Sequence, residues 1–340
     1  MTAGGDFSTV DVEIPTLTDL THLQGTIAEV FGQAQFNADP RLPCLDNGNS
    51  RDAMVLGGHR VNARWIEKNG VTVAIDFDSL AMFSAYAHVE SAAVYFQQLG
   101  VSAAHTSVPI YYHLSIPSGA DNIFPPTDNA LYLRPADALV VQPMRFLQDI
   151  PFSMNPGVIA HEYSHRVFYH EAWGGQLFTL LGGCFAPTNA VNLVLAVDEG
   201  VADFFGAVLS GDPQFLQHSV FLQLAQPRDL SVPRAVDATW LNGTAPLNSQ
   251  GSYTPYPLGT VLAAVLWDFA IEQGTDLVAR AVLASQRRLF AQLNTELTYR
   301  VGQFAAWVIE ELPSTNRLEL CERAAAAYAA SWESFAMTCP

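Results

Sequence analysis

The sequence predicts an α+β fold: a strand-rich N-terminal lobe over residues 1–155, a helical C-terminal lobe over residues 156–340, and between them a helix carrying the chain's most telling motif. Apolar residues alternate with period two in segments such as Val71-Thr72-Val73-Ala74-Ile75, the pattern of a half-buried strand. Beyond Asn155 that alternation fades and long runs with helical periodicity replace it. At this change of character stands His161-Glu162-Tyr163-Ser164-His165.

Along the chain, residues 37–58 form a polar, turn-rich stretch punctuated by Pro40, Pro43, Gly48 and Gly57. Residues 79–99 read as a helix, because Met82, Tyr86, Val89, Ala93 and Phe96 recur at the spacing of one helix face. Strand-like pieces follow at 108–115, 130–133 and 138–142, with a turn rich in Pro, Gly and Asp over 116–128. Helices are expected over 156–170, 193–209, 259–273, 276–293, 297–311 and 317–336. The first of these has a readable start. Asn155 can cap it, Pro156 suits the first turn, and Gly157-Val158-Ile159-Ala160 leads in without charge.

The 340 residues can bury a sizeable core. Charged residues make up only 14%, yet the net charge is −17, so the few charges are strongly one-sided. Such a surface repels nucleic acid and anionic membrane, and neither is expected as a partner. No stretch reaches the roughly 18 consecutive apolar residues of a membrane span, and residues 258–271, broken by Asp268, read as a buried helix. A monomer is expected. The four cysteines include no C-x-x-C pair, which excludes a zinc ribbon. Their even number permits two disulfides, Cys321 with Cys339 and Cys44 with Cys184, or else four buried thiols. The first option suits a secreted or periplasmic protein whose signal segment lies outside this sequence. The N-terminus has neither a basic start nor an apolar run, so a cytoplasmic location stays open.

Two histidines four apart on a helix project from one face, one turn apart, and can bind a single zinc ion. Glu162, directly after the first, then lies beside the metal as a candidate base for a bound water. A catalytic zinc usually takes three protein ligands and keeps a fourth position open. A third histidine in the H-E-x-x-H-x-x-G-x-x-H pattern fails, since Phe168 and Glu171 occupy the positions of its Gly and His. A carboxylate from another helix fits instead. Glu199 and Asp203 share a helix face within Asp198-Glu199-Gly200-Val201-Ala202-Asp203, flanked by apolar residues. Glu199 is the expected third ligand, and Asp203 the expected acceptor for a ligand histidine's free ring N–H.

"HEYSH" followed by "DEGVADFFG" resembles the thermolysin-like and fungalysin-like zinc metallopeptidases, the gluzincins, with H-E-x-x-H and a downstream E-x-x-x-D. The resemblance runs over roughly residues 76–273 and implies a zincin-type fold and Zn²⁺-dependent hydrolysis of peptide bonds. It implies that Asn129 and Ala130 lie on an edge strand that pairs with peptide substrate, as in the family's Asn-Ala strand. It implies that Arg228, within Pro227-Arg228-Asp229-Leu230, contacts a substrate carbonyl. Calcium occurs in such peptidases, but no D-x-D-x-D-G loop is present and no calcium ligand is assigned.

The chain departs from that pattern in three respects. Glu199 follows His165 by 34 positions, farther than in thermolysin itself, with an apolar insertion over 171–194. No inhibitory pro-segment is recognisable before Val71. Tyr256 stands where the family's oxyanion-polarising histidine belongs; its phenol remains a donor at physiological pH, and Tyr253 competes for the role. The competing expectation is a catalytically weakened zinc protein of the same fold that binds peptides. Glu162 argues against it, since a site that only binds has no use for a base.

Overall fold

The computed structural model of the protein describes residues 10–37, 55–117, 127–145, 150–176, 189–220, 225–237, 255–293, 302–329 and 339. The fold is α+β, with a strand-rich N-terminal sheet and a helical C-terminal part. The chain divides into two compact units, Met1–Val167 with Gln217–Phe221, and Phe168–Leu216 with Leu222–Pro340.

In the first unit the strands are β1 (Leu17–Asp19), β2 (Gln24–Gly25), β3 (Ala28–Phe36), β4 (Val55–Arg60), β5 (Trp65–Lys68), β6 (Val71–Ala74), β7 (Val108–Tyr112), β8 (Ala130–Leu133) and β9 (Ala138–Val141). Among the described residues one sheet runs β1-β2-β3-β7-β9-β8, with β4 also paired to β3, and β5 and β6 form a separate hairpin. Strands β3, β7 and β9 are parallel neighbours, and buried parallel strands read as continuous apolar runs such as Ala138-Leu139-Val140-Val141. Pro109 is tolerated inside β7 because β9 joins only at Ile110, one residue later. Strand β8 closes the sheet antiparallel to β9, with Ala130 opposite Val141 and Tyr132 opposite Leu139.

The structure corrects the sequence reading at the N-terminal end. Gly57 and Gly58 belong to β4, although the sequence places them in the turn-rich stretch. Both have positive φ, 69° and 97°, so the pairing with β3 passes through residues that ordinarily signal a turn. Strands β1 and β2, of three and two residues, are too short to show alternation, and β3, with Ala28, Val30, Ala34 and Phe36 buried, is a strand that the sequence reading does not single out. Residues 118–126 of the expected 116–128 turn, and Cys44, lie outside the described residues.

Helix α1 (Phe77–Gln98) begins two residues before the expected start, because Asp76 caps it: its carboxylate accepts the backbone N–H of Ser79 at 2.8 Å. That bond holds the Asp76 pKa below its ordinary value. The predicted stripe is buried, including Tyr86, Val89, Ala93 and Phe96. Phe96 stacks on Tyr163 with ring centroids 5.9 Å apart, so α1 braces the helix that carries the motif.

That helix, α2 (Pro156–Glu171), starts where the sequence indicates. Asn155 Oδ1 accepts the N–H groups of Gly157 and Val158 at 3.0 and 3.3 Å, and its amide nitrogen donates to Ser219 Oγ at 2.9 Å. A short turn, Phe152–Met154, precedes the cap. There His88 of α1 lies with its Nε2 3.3 Å from the Met154 carbonyl oxygen.

The second unit contains α3 (Asn189–Ser210), α4 (Tyr256–Gln273), α5 (Thr275–Leu293), α6 (Gln303–Glu311) and α7 (Ser314–Ala327). Helix α4 starts three residues before its predicted boundary, with Pro257 in its first turn. Helix α6 is described from Gln303, and residues 297–301 of the expected 297–311 helix lie outside the described set. Helix α7 ends at Ala327, well before the expected residue 336, and residues 330–338 are likewise outside. A disulfide joins Cys321 of α7 to Cys339. Cys184 and Tyr253 fall outside the described residues. Among the described residues no helix is long and apolar enough to cross a membrane.

Burial pushes the His88 pKa down to about 4, the Met154 carbonyl offsetting this only in part. A histidine whose folded value lies below its unfolded value of 6.5 binds more protons when unfolded. Stability is therefore full above pH 6.5 and falls as the pH drops towards 4, by on the order of 2–3 kcal/mol. Chemical denaturation of wild type and His88→Gln across that window should show the loss in the wild type and a shallower slope in the variant.

Candidate metal centre

Helix α2 is buried along almost its whole length. Val158, Ile159, Ala160, Tyr163, Val167 and Phe168 are each no more than 3% exposed, and His161, Glu162, Ser164, His165 and Arg166 are buried among them. Polar side chains on a buried helix need partners close by, because desolvation without compensation is expensive. The partners of these residues define the site.

His161 and His165 lie one turn apart with rings nearly perpendicular, at 87°, and centroids 4.6 Å apart. Their Nε2 atoms are 3.0 Å from one another. Ligand atoms of His161, His165 and Glu199 all lie within 4.8 Å of each other. Two nitrogens bound to one tetrahedral ion at about 2.05 Å stand roughly 3.3 Å apart, so the imidazole pair already has the spacing of two ligands. Two imidazoles and one carboxylate are also a donor set that zinc favours, and a cation offsets the charge of the half-buried Glu199. The residues present fit a divalent metal.

Glu199 is placed by the crossing of two helices. Gly200 of α3 faces Gly259 of α4 backbone to backbone. A Cβ added at Gly200 would come within 2.4 Å of the Gly259 carbonyl oxygen. One added at Gly259 would come within 2.6 Å of the Ala196 carbonyl oxygen and 3.3 Å of Glu199 Cβ. Only glycine permits this approach. One turn farther along α3, Asp203 is 1% exposed and receives the Arg228 guanidinium as a fork, Nε to Oδ2 at 3.1 Å and Nη2 to Oδ1 at 2.5 Å. Arg228 Nη2 also lies 3.7 Å from Glu199 Oε2, and the guanidinium covers the ring of Tyr256 at 4.5 Å from its centroid. Burial works against the Arg228 charge, but Asp203 and then Glu199 outweigh it and hold its pKa above the ordinary value. Arg228, Asp203, Glu199 and Tyr256 thus form one group. Tyr256 begins α4 and is 41% exposed.

Glu162 meets the sheet. Its Oε2 accepts the backbone N–H of Tyr132, in β8, at 2.7 Å. Asn129 and Ala130 sit at the start of that strand, where the Asn129 carbonyl oxygen accepts the Gln142 N–H at 2.9 Å. Sequence reasoning missed Arg166, the residue after the second histidine, although it is fully buried. The signal was available: a guanidinium within Arg166-Val167-Phe168-Tyr169 is as conspicuous on an apolar helix as Glu162.

No family model and no curated protein matches the sequence. Among solved structures the chain is similar to the precursor of protealysin, a metalloproteinase from Serratia proteamaculans. The TM-score is 0.51 at 12% sequence identity, over 93% of this chain and 89% of that one. At that identity the likeness establishes the fold.

If the glycine crossing sets the position of Glu199, Gly259→Ala should destabilise the protein by about 1–3 kcal/mol, as overpacking does. It should also weaken divalent-metal binding, read by equilibrium dialysis. Unchanged stability would show that the two backbones are not in contact.

Proposed function

We propose that the protein is a zinc-dependent endopeptidase of the thermolysin-like kind. His161, His165 and Glu199 would hold the ion, and the observation carrying this reading is the convergence of their ligand atoms within 4.8 Å. When bound there, zinc supplies a Lewis acid for the scissile carbonyl and lowers the pKa of the attacking water.

The chain's own residues supply the rest. Glu162 takes the proton of the attacking water and delivers it to the leaving amine. Asn129 and Ala130, on the sheet-edge strand β8, align an extended peptide through backbone pairing. The Tyr256 phenol donates to the oxygen that gains charge as the carbonyl becomes tetrahedral, in place of a histidine. Asp203 orients a ligand imidazole while Arg228 neutralises it, and Arg228 also contacts a substrate carbonyl.

Export to an oxidising compartment suits the Cys321–Cys339 disulfide, since such bonds persist where thiols are not kept reduced. A second reading, a zinc protein that binds peptides without cleaving them, is favoured only by Tyr256. The base beside His161 weighs against it.

Purified protein should contain about one equivalent of zinc by elemental analysis and digest an unfolded protein until a chelator is added. Glu162→Gln should keep the zinc and lose turnover by about a thousandfold or more. Glu199→Ala should lose most of the zinc. Full activity in Glu162→Gln would overturn the assignment of the base.

A further inference from the structure

Arg166 is a fully buried cation with every donor engaged. Its Nε and Nη2 grip the two oxygens of Asp137 at 2.8 and 3.1 Å. Nη1 donates to the Ala103 carbonyl oxygen at 2.9 Å and to Tyr163 Oη at 3.1 Å, and Nη2 donates to Thr106 Oγ1 at 2.6 Å. A guanidinium has five N–H groups, and five bonds are made. Burying such a charge costs several kcal/mol before compensation, and apolar side chains of similar volume would fill the space at least as well. Stability alone therefore does not explain the pair.

Its geometry does. Asp137 sits between Arg134–Ala136 and β9 with φ at 45°, a left-handed conformation that Asp tolerates better than most residues. The same carboxylate oxygen that meets Arg166 Nε also accepts the Tyr132 phenol at 2.9 Å. Tyr132 is the residue whose backbone N–H holds Glu162. Glu162 and Arg166 are four apart on α2, so they stand on one face, about 6 Å apart along the axis. The bonds therefore close a ring: Glu162 to Tyr132 through the backbone, Tyr132 to Asp137 through the phenol, Asp137 to Arg166, and back along one turn of helix.

We propose that Arg166, Asp137 and the Tyr132 hydroxyl are positioning residues that fix Glu162 against strand β8. One hydrogen bond between a strand and a helix leaves the strand free to pivot about it. Two anchors a turn apart remove that freedom, so the carboxylate and the edge-strand backbone keep a constant relation. The kinetic part of this proposal rests on the peptidase reading above, but the structural part does not.

The test is Tyr132→Phe, which deletes one hydroxyl and keeps the ring and the N–H that meets Glu162. Arg166→Lys serves as a second variant, since it keeps the buried positive charge and loses the fork. Three measurements are made on full-length protein: hydrogen exchange of the residue-132 amide, zinc content, and steady-state kinetics giving kcat and KM on an unfolded protein substrate. The expected result in both variants is exchange at residue 132 faster by about tenfold, reporting a loosened bond to Glu162. Zinc content stays at the wild-type level, and kcat falls by about tenfold with KM within about twofold, the pattern of a displaced base. Wild-type exchange at residue 132 in both variants overturns the proposal. So does faster exchange with unchanged kcat, because the ring would then have no hold on the base. If wild-type protein carries zinc but cleaves nothing, the peptidase reading fails by itself, and the exchange rate alone decides the positioning claim.

Discussion

A buried helix that carries two imidazoles, a carboxylate and a guanidinium must compensate each of them within a few ångströms, and that constraint organises the protein. Helix α2 has almost no solvent to turn to. Its carboxylate and its guanidinium are therefore answered by elements brought from elsewhere in the sequence. Strand β8 brings an N–H to Glu162 and the β8–β9 connection brings a carboxylate to Arg166. Asn155 and Ser219 complete the N-terminal cap. Apolar packing, such as Phe96 on Tyr163, supplies the bulk of the burial, but the polar pairs decide which strand meets which turn of the helix.

The carboxylate helix follows the same logic with opposite means. On α2, position is set by directional bonds. On α3, it is set by the absence of side chains at Gly200 and by the backbone of α4 at Gly259, so that steric contact takes the place of hydrogen bonding. Arg228 then gathers Asp203, Glu199 and the face of Tyr256 into one charge-balanced group. A guanidinium can do this because its plane forks to carboxylates at its edge and stacks on an aromatic ring with its face. Lysine has neither capacity.

Much of this was legible in the sequence where a single residue type has one dominant reading. Asn155-Pro156 announced the start of α2, and the four-residue spacings of His161 with His165 and of Glu199 with Asp203 announced shared helix faces. Among the described residues the helices came out within a few residues at most ends, because amphipathic stripes persist over several turns. What escaped was of two kinds. Strands β1 and β2 are only three and two residues long, and Gly57 and Gly58 disguise a ladder as a turn, since local conformation there is fixed by pairing with Ala34 and its neighbours on a distant strand. Contacts between distant residues, such as Tyr132 with Glu162 or Arg166 with Asp137, leave no periodic trace at all. Charge inside an apolar run was the one clue to Arg166, and it identifies a residue that needs a partner without saying which partner it has.

The contact of Gly200 with Gly259 also bears on how a cation would be captured. A carboxylate borne on a flexible surface loop surrenders considerable freedom when it closes on an ion, and that entropy is subtracted from affinity. Here the backbone beneath Glu199 is wedged against another helix with no rotamer between them to relax. That part of the ordering is complete once α3 packs on α4, so a cation that Glu199 helped to hold would cost the side chain's own rotamers and not the backbone beneath it.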